Sequence, residues 1–323
     1  MADVVCLGDL LIDFVPTVTG KGLADAPAFV KAPGGAAANV AVGLTRLGAT
    51  SAFLGKVGDD PFGHFLADTL AGEGVDVGGL RFETRARTAL AFVSLRADGE
   101  REFLFYRHPS ADMLFTPAEV DAERIAAARI FHFDSISLAA EQPRATALHA
   151  AGLARQGGKL VSYDVNLRLP LWPDAAAAKA GILLGLRQAQ IAKLSDDELD
   201  FLTGTRAPEA VRDQLWHADL QLMVLTMGGQ GSILITPEGQ RHVPSIKVTP
   251  VDTTGAGDGF VAGLLAGLLP HPTLPNLDQL TPICQFANAV GALATTQRGA
   301  IPAMPSRATV EASLAAAAGG GAR

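Results

Sequence analysis

The chain has 323 residues, 48% of them hydrophobic and only 6% aromatic, which is enough for a large, closely packed core in one big domain or a domain with a small insert. A formal net charge of -7, from 33 acids against 26 Lys and Arg, argues against nucleic acid as a main partner. Cys6 and Cys284 are too few for a disulfide framework, no apolar run reaches about 18 residues, and the start through Asp3 lacks a signal-peptide pattern, so a cytoplasmic protein without a membrane span is expected.

Residues 4–7 form a continuous apolar run ending in Gly8-Asp9, the pattern of a buried parallel strand opening onto an active edge. Residues 12–15 and 27–32 read as short strands. Residues 39–47 have apolar positions at helical spacing, Gly48 as a stop, and a strand at 50–54 behind it. A second helix is expected over 62–71, entered through Asp60-Pro61 and left at Gly72. The period then changes. Residues 89–95 and 102–106 are extended, joined by a hairpin turn at Asp98-Gly99. The βα alternation resumes with strands at 130–133, 160–164, 191–194, 223–226 and 232–235, and a last helix over 310–318 frays into Gly319-Gly320-Gly321. This order predicts an α/β fold: a doubly wound sheet covered on both faces, with a small β lid near its carboxyl edge.

The densest chemical signal is Asp252-Thr253-Thr254-Gly255-Ala256-Gly257-Asp258-Gly259-Phe260. Small residues here leave the first amides of a helix bare, and bare N-terminal amides attract an anion. Asp258 cannot be that anion's ligand, so it reads as a base acting on something brought up to the anion, an arrangement suited to phosphoryl transfer. The structural alternative makes Asp252 and Thr253 N-cap candidates, Asp258 a solvated first-turn acid and the glycines packing residues.

Other polar residues fall at expected strand ends. Asp9 and Asp13 follow the first strand, while Gly34-Gly35 and Asn39 lie at a helix entry with Ala36, Ala37 and Ala38 clearing space. Asp164, Asn166 and Arg168 share one face if their segment is extended. Such carboxylates and amides suit a polyol, although Asp9 could equally be a turn residue and Asn39 a cap. Ser195 with Glu198 is a capping-box pattern; the functional alternative sets Glu198 near a hydrated Mg²⁺. Thr226-Met227-Gly228-Gly229-Gln230-Gly231 would let a ligand approach the backbone. The histidines lack metal-ligand spacing, His132 reads as a core or edge residue, and Cys284 as a small buried hydrophobe. Neither a P-loop nor a dinucleotide fingerprint is present.

Gly34-Gly35 with Asn39, the Gly55-Lys56-Val57-Gly58-Asp59-Asp60 run with Gly63, and Asp252 to Asp258 together resemble the ribokinase-like (PfkB) carbohydrate kinases. The resemblance runs from the first strand to Pro305. Within that family the chain looks most like the fructokinases, through the segments 87–93, 96–103 and 105–114, then Asn166-Leu167-Arg168-Leu169-Pro170-Leu171-Trp172-Pro173 and Gly299-Ala300-Ile301-Pro302. Val165 stands where those enzymes often have proline, and His108 where they often have asparagine.

The resemblance implies one ribokinase-like three-layer α/β/α kinase domain with lid segments about 12–33 and 86–108. It implies ATP-dependent phosphorylation of D-fructose, with Asp258 as base, the Gly255, Ala256 and Gly257 amides as anion hole, and Arg168 stabilising charge. Asp13, Gly34, Gly35, Asn39, Arg107 and Arg168 would bind the sugar. Lys193, Thr226, Gly228, Gly231, Gly255, Gly257 and Asn288 would line the nucleotide site, and Glu198 would organise Mg²⁺ through water. Asp252, Thr254, Thr295 and Gly299 resemble a K⁺ site behind the hole. The family often pairs its lids into homodimers. The runner-up is a 2-keto-3-deoxygluconate kinase or another sugar kinase, since Arg107 with Arg168 could grip a carboxylate; a silent sugar sensor would lack the base or the hole.

Overall fold

The computed structural model describes residues 1–18, 20–95 and 101–320. The chain enters with β1 (Val4–Leu7), crosses over as β2 (Leu11–Pro16) and β3 (Phe29–Gly34), and returns through α1 (Ala36–Arg46), β4 (Ser51–Gly58), α2 (Pro61–Gly72) and β5 (Asp76–Glu83). It leaves again as β6 (Leu90–Leu95) and β7 (Arg101–Tyr106). After α3 (Ala122–Ala127) it alternates: β8 (Ile130–Asp134), α4 (Glu141–Gln156), β9 (Leu160–Asp164), α5 (Ala175–Leu186), β10 (Ile191–Ser195) and α6 (Asp196–Thr203). The strands β11 (Leu222–Thr226), β12 (Ser232–Thr236) and β13 (Gly239–Val243) and the helices α7 (Ala256–Leu268), α8 (Leu277–Ala294) and α9 (Arg307–Gly320) complete it.

Among the described residues, nine strands form the main sheet in the order β13-β12-β11-β10-β9-β8-β1-β4-β5. Pairing is parallel from β5 to β11, with β12 and β13 added antiparallel. Strand alternation sorts the core. Val4 and Cys6 join the cluster under α1, α7 and α8, whereas Val5 and Leu7 join the cluster under α4 and α5. The chain runs outward from β1 to β4 and β5, then returns to β8 on the other side, so the order reverses at β1 and opens a crevice beyond its carboxyl end. Over that crevice sits the lid, a four-stranded sheet in the order β3-β2-β6-β7. Phe14 of β2 meets Phe62 of α2 edge-on at 6.0 Å, joining lid to body.

The elements follow local chemistry. Asp60 caps α2 by accepting from the Phe62 and Gly63 amides, with Pro61 at the first position, as the sequence signals. Two strands escaped the pattern. β5 carries Gly78-Gly79 amid polar residues, and β13 (Gly-Gln-Arg-His-Val) lies at the sheet edge, so neither shows an apolar run. β4 runs on to Gly58 because β5 pairs with it there. The last helix starts at Arg307, where Ser306 accepts from the Thr309 amide at 3.2 Å, and it continues through Gly319 and Gly320 rather than fraying before them. The Asp98-Gly99 turn and Gly321 lie outside the described residues. No helix among the described residues is long and apolar enough to cross a membrane.

Candidate active site

The head of α7 sits at the crevice. Gly255 is its N-cap in the left-handed region, φ 80°, and a Cβ there would lie 2.8 Å from the Ala300 Cβ, so no side chain caps the helix. Neither Asp252 nor Thr253 is the N-cap residue, as the structural alternative required. Of the three amides expected to form an anion hole, that of Ala256 is engaged: Ala256 N donates to Thr253 O at 3.3 Å because the chain turns back on itself there. The amides of Gly255, Gly257 and Asp258 have no acceptor among the described residues and stay open at the positive end of the helix dipole.

Asp258 is buried, and Asn39 Nδ2 donates to its Oδ2 at 2.7 Å. Asn39 is not a cap. Its amide donates to Gly35 O at 2.9 Å, so Gly35 is the N-cap of α1 and Asn39 projects from the first turn. The Asn39 Oδ1 has no partner among the described residues. The glycine pair before it is a geometric necessity. A Cβ on Gly35, at φ 117°, would lie 2.2 Å from Asp9 O, and one on Gly34 would lie 2.2 Å from Asp13 Oδ2.

Sheet register gathers further charge. Asp134, Asp164 and Lys193 lie side by side across β8, β9 and β10. Lys193 Nζ donates to Asp164 at 3.1 Å, lies 4.0 Å from Glu198, and would sit 3.2 Å from a Cβ on Gly257, so it points at the open amides. Burial raises Asp258, only partly offset by the Asn39 bond and the charges of Arg168 and Lys193. Burial and the neighbouring Asp9 push Asp13 up to about 7, and burial pushes Asp164 up to about 6 despite Lys193. Asp134, fully buried and raised well above its ordinary value, is a member that sequence reasoning missed; its signal was an acid ending a strand, as at Asp164. His132 is a core residue, bonded to Ser162 at 3.0 Å and lowered to about 3 by burial.

The two arginines differ. Arg168 is exposed, donates to Leu167 O at 3.0 Å, and lies in electrostatic reach of Asp9, Asp13 and Asp258. Arg107, expected to approach the sugar from the lid, is buried and donates to Asp112. Asn166 is held at φ 35°, with its amide nitrogen 3.4 Å from Asp134.

On the side of β11, Thr226 stands at the strand end and Gly228 and Gly231 both have positive φ in the following turn. Asn288 donates to Val243 O at 2.9 Å and accepts from Ser232, so its place at a nucleotide would be as a wall rather than a hydrogen-bond partner. The capping-box reading of Glu198 holds: one oxygen accepts from Ser195 N at 2.7 Å, the other from Leu167 N at 2.8 Å. Behind the hole, Asp252 accepts from Thr254 N at 2.9 Å and from Gly299 N at 3.0 Å, and its own amide donates to Thr295 O at 3.1 Å. These four residues therefore converge. Among the described residues, no group of three or more His, Cys, Asp or Glu could by itself hold a metal ion.

A buried carboxylate at an uncapped helix head, beneath a β lid, is the arrangement to which the family comparison speaks. The model of the pfkB family carbohydrate kinases matches residues 1–307. The chain belongs to that family. As a pfkB kinase it is similar to probable fructokinase-7 of Arabidopsis thaliana, 55% identical over 312 residues, which are 95% of this chain and 91% of the relative. Its fold matches the ATP-bound fructokinase of Xylella fastidiosa with a TM-score of 0.89 at 34% identity, over 98% of this chain and 99% of that one. It matches a double-mutant fructokinase of Vibrio cholerae, bound to fructose, ADP and potassium ion, with a TM-score of 0.85 at 37% identity, over 97% and 98% of the two chains. The three-layer α/β/α sheet with its small β lid is thus the ribokinase-like architecture of these kinases.

Proposed function

We propose that this pfkB kinase is a fructokinase, transferring the γ-phosphoryl group of ATP to the primary hydroxyl of D-fructose to give D-fructose 6-phosphate and ADP. The observation that carries the mechanism is the buried Asp258 carboxylate, gripped by Asn39 and set beside open helix-head amides. The sugar oxygen forms its bond to the γ-phosphorus as the bond to the β–γ bridging oxygen breaks. ADP keeps that electron pair, and the hydroxyl proton passes to Asp258. A raised Asp258 suits this, because a base works best with a pKa near the working pH.

The Gly255, Gly257 and Asp258 amides would hold the transferring oxygens, with Lys193 beside them and Arg168 facing the developing charge. Asp13 and the free Asn39 Oδ1 would pair with sugar hydroxyls. The lid would exclude water, so that ATP is not spent on hydrolysis. Glu198 has both oxygens in backbone bonds, which suits a hydrated magnesium ion met through water rather than an inner-sphere cage. When bound, that ion neutralises phosphate charge. The convergence of Asp252, Thr254, Thr295 and Gly299 favours a potassium ion that stiffens the loop carrying the amides. Exposed Val30, Leu104 and Tyr106 on the lid would suit pairing with a second copy, which sedimentation would reveal as a dimer.

The test is coupled ADP release with ATP across fructose, glucose, ribose, adenosine and 2-keto-3-deoxygluconate. Fructose should dominate, because pairing Arg107 with Asp112 leaves Arg168 alone to meet a carboxylate. Rates dominated by another substrate overturn the reading. Replacing K⁺ by Na⁺ in the same assay should lower the rate; equal rates after rigorous K⁺ removal argue against the ion.

A further inference from the structure

Where lid strand β7 ends, the chain turns inward into a group of buried polar side chains that the transfer step does not use. Arg107 Nη2 donates to Asp112, whose other oxygen accepts from the Ser110 hydroxyl. Arg107, Asp112, Asp9 and Ser137 are only 7, 6, 5 and 5% exposed. Within this group Asp9 Oδ1, Arg107 Nε and Ser137 Oγ find no partner among the described residues. Asp9, Arg107 and Ser137 line one cavity of ≈ 20 Å³, whose remaining wall includes Leu7, Gly8 and Phe115.

Buried polar atoms are nearly always satisfied, by protein or by ordered water. A water needs a cavity of at least about 10–15 Å³ and two to four polar partners. This cavity supplies both: a donor at Arg107, an acceptor at Asp9, and a Ser137 hydroxyl able to serve either way. A cation would face the arginine N–H and an anion the carboxylate oxygen, so a neutral dipole suits this lining best.

We propose that the cavity holds one ordered water bridging Arg107 Nε, Asp9 Oδ1 and Ser137 Oγ, and that Ser137 and Asp112 are positioning residues that use it to fix the lid strand to the sugar-binding edge. The coupling route is short. Asp9 O lies against Gly35, the N-cap of the helix that carries Asn39, and the adjacent Gly34 lies against the Asp13 carboxylate. Arg107 also lines an open cleft of ≈ 250 Å³ between the lid and Leu171, which leaves room to shift if the water bridge is lost.

A crystal structure of the unaltered chain tests the site. A water peak should lie about 2.7–3.2 Å from all three atoms, and a dry cavity overturns the proposal. Ser137→Ala and Asp112→Asn test the positioning role. Each should raise the KM for fructose about 3–10-fold, the worth of one hydrogen bond, and raise ADP released per sugar phosphate formed. The kcat should stay within about twofold, a split that general destabilisation does not produce. An unchanged KM in both folded variants overturns that role, and should either variant melt below the assay temperature, the other and the crystal structure decide. The kinetic arm rests on the fructokinase reading, whereas the water peak does not, so an enzyme inactive on fructose with a filled cavity would fail only the former.

Discussion

The carboxyl edge of the main sheet carries two groups of buried charge that are balanced in opposite ways. At the ends of β4 and β5, Lys56 lies between Glu83 at 3.2 Å and Glu119 at 2.7 Å. Arg85 and Lys56 hold Glu83 well below the usual carboxylate range, and nearby Asp60 is lowered because the Thr88, Gly63 and Phe62 amides outweigh its burial. At the ends of β1, β8 and β9, on the facing lid strand β2 and at the head of α7, burial instead outweighs what Arg107, Arg168 and Lys193 return. Asp9, Asp13, Asp134, Asp164 and Asp258 are all raised. The first group is satisfied by the protein and holds it together. The second is hydrogen-bonded but short of compensating positive charge, which holds its carboxyls ready to take up a proton. The Gly55–Asp60 run, so useful for recognising the family, belongs to the first group and does structural work.

Asp258→Asn attacks the second group at its centre and should cut kcat about 10²- to 10⁴-fold with fructose affinity little changed by calorimetry. Near-normal turnover would dissolve the contrast. Lys56→Met attacks the first group and should do the reverse, lowering the urea midpoint while kcat and KM of the folded enzyme persist. A loss of turnover without loss of stability would make that group catalytic after all.

Gly34→Ala drives a methyl into the space of the Asp13 carboxylate and should raise the fructose KM about tenfold or more, as should Asp13→Asn, with the KM for ATP unmoved. If Gly34→Ala left fructose binding intact, Asp13 would not be a sugar ligand. Asn39→Ala removes a donor that favours ionised Asp258, so Asp258 should rise further and the acidic limb of kcat should move to higher pH. An unmoved limb would separate Asn39 from the base.

The smallest effect is on stability. Asp13 rises from 3.8 to about 7 on folding, so folding costs energy once the unfolded carboxyl ionises. That cost is absent below the unfolded value, grows as pH rises, and is complete above the folded one. Asp13→Asn should therefore raise Tm above pH 7, by roughly 2–4 °C for each kcal/mol relieved, and bring no gain near pH 3. A gain independent of pH would point to packing rather than charge.

Residue order alone determined much of this protein. The strands at β1 and β9, the capped start of α2, the small-residue head of α7 and the family are local properties, legible because periodicity, caps and uncovered amides depend on neighbours along the chain. The edge strands β5 and β13 were not legible, since one-sided burial leaves no apolar run. Only the tertiary structure decided what the polar residues do. Asn39 meets Asp258 across 219 positions, Arg107 is taken by Asp112, the Ala256 amide turns back to Thr253, and Asp134 joins the buried acids through sheet register. The reason is physical: a side chain's charge state and free valences are set by burial and by the partners that folding brings to it.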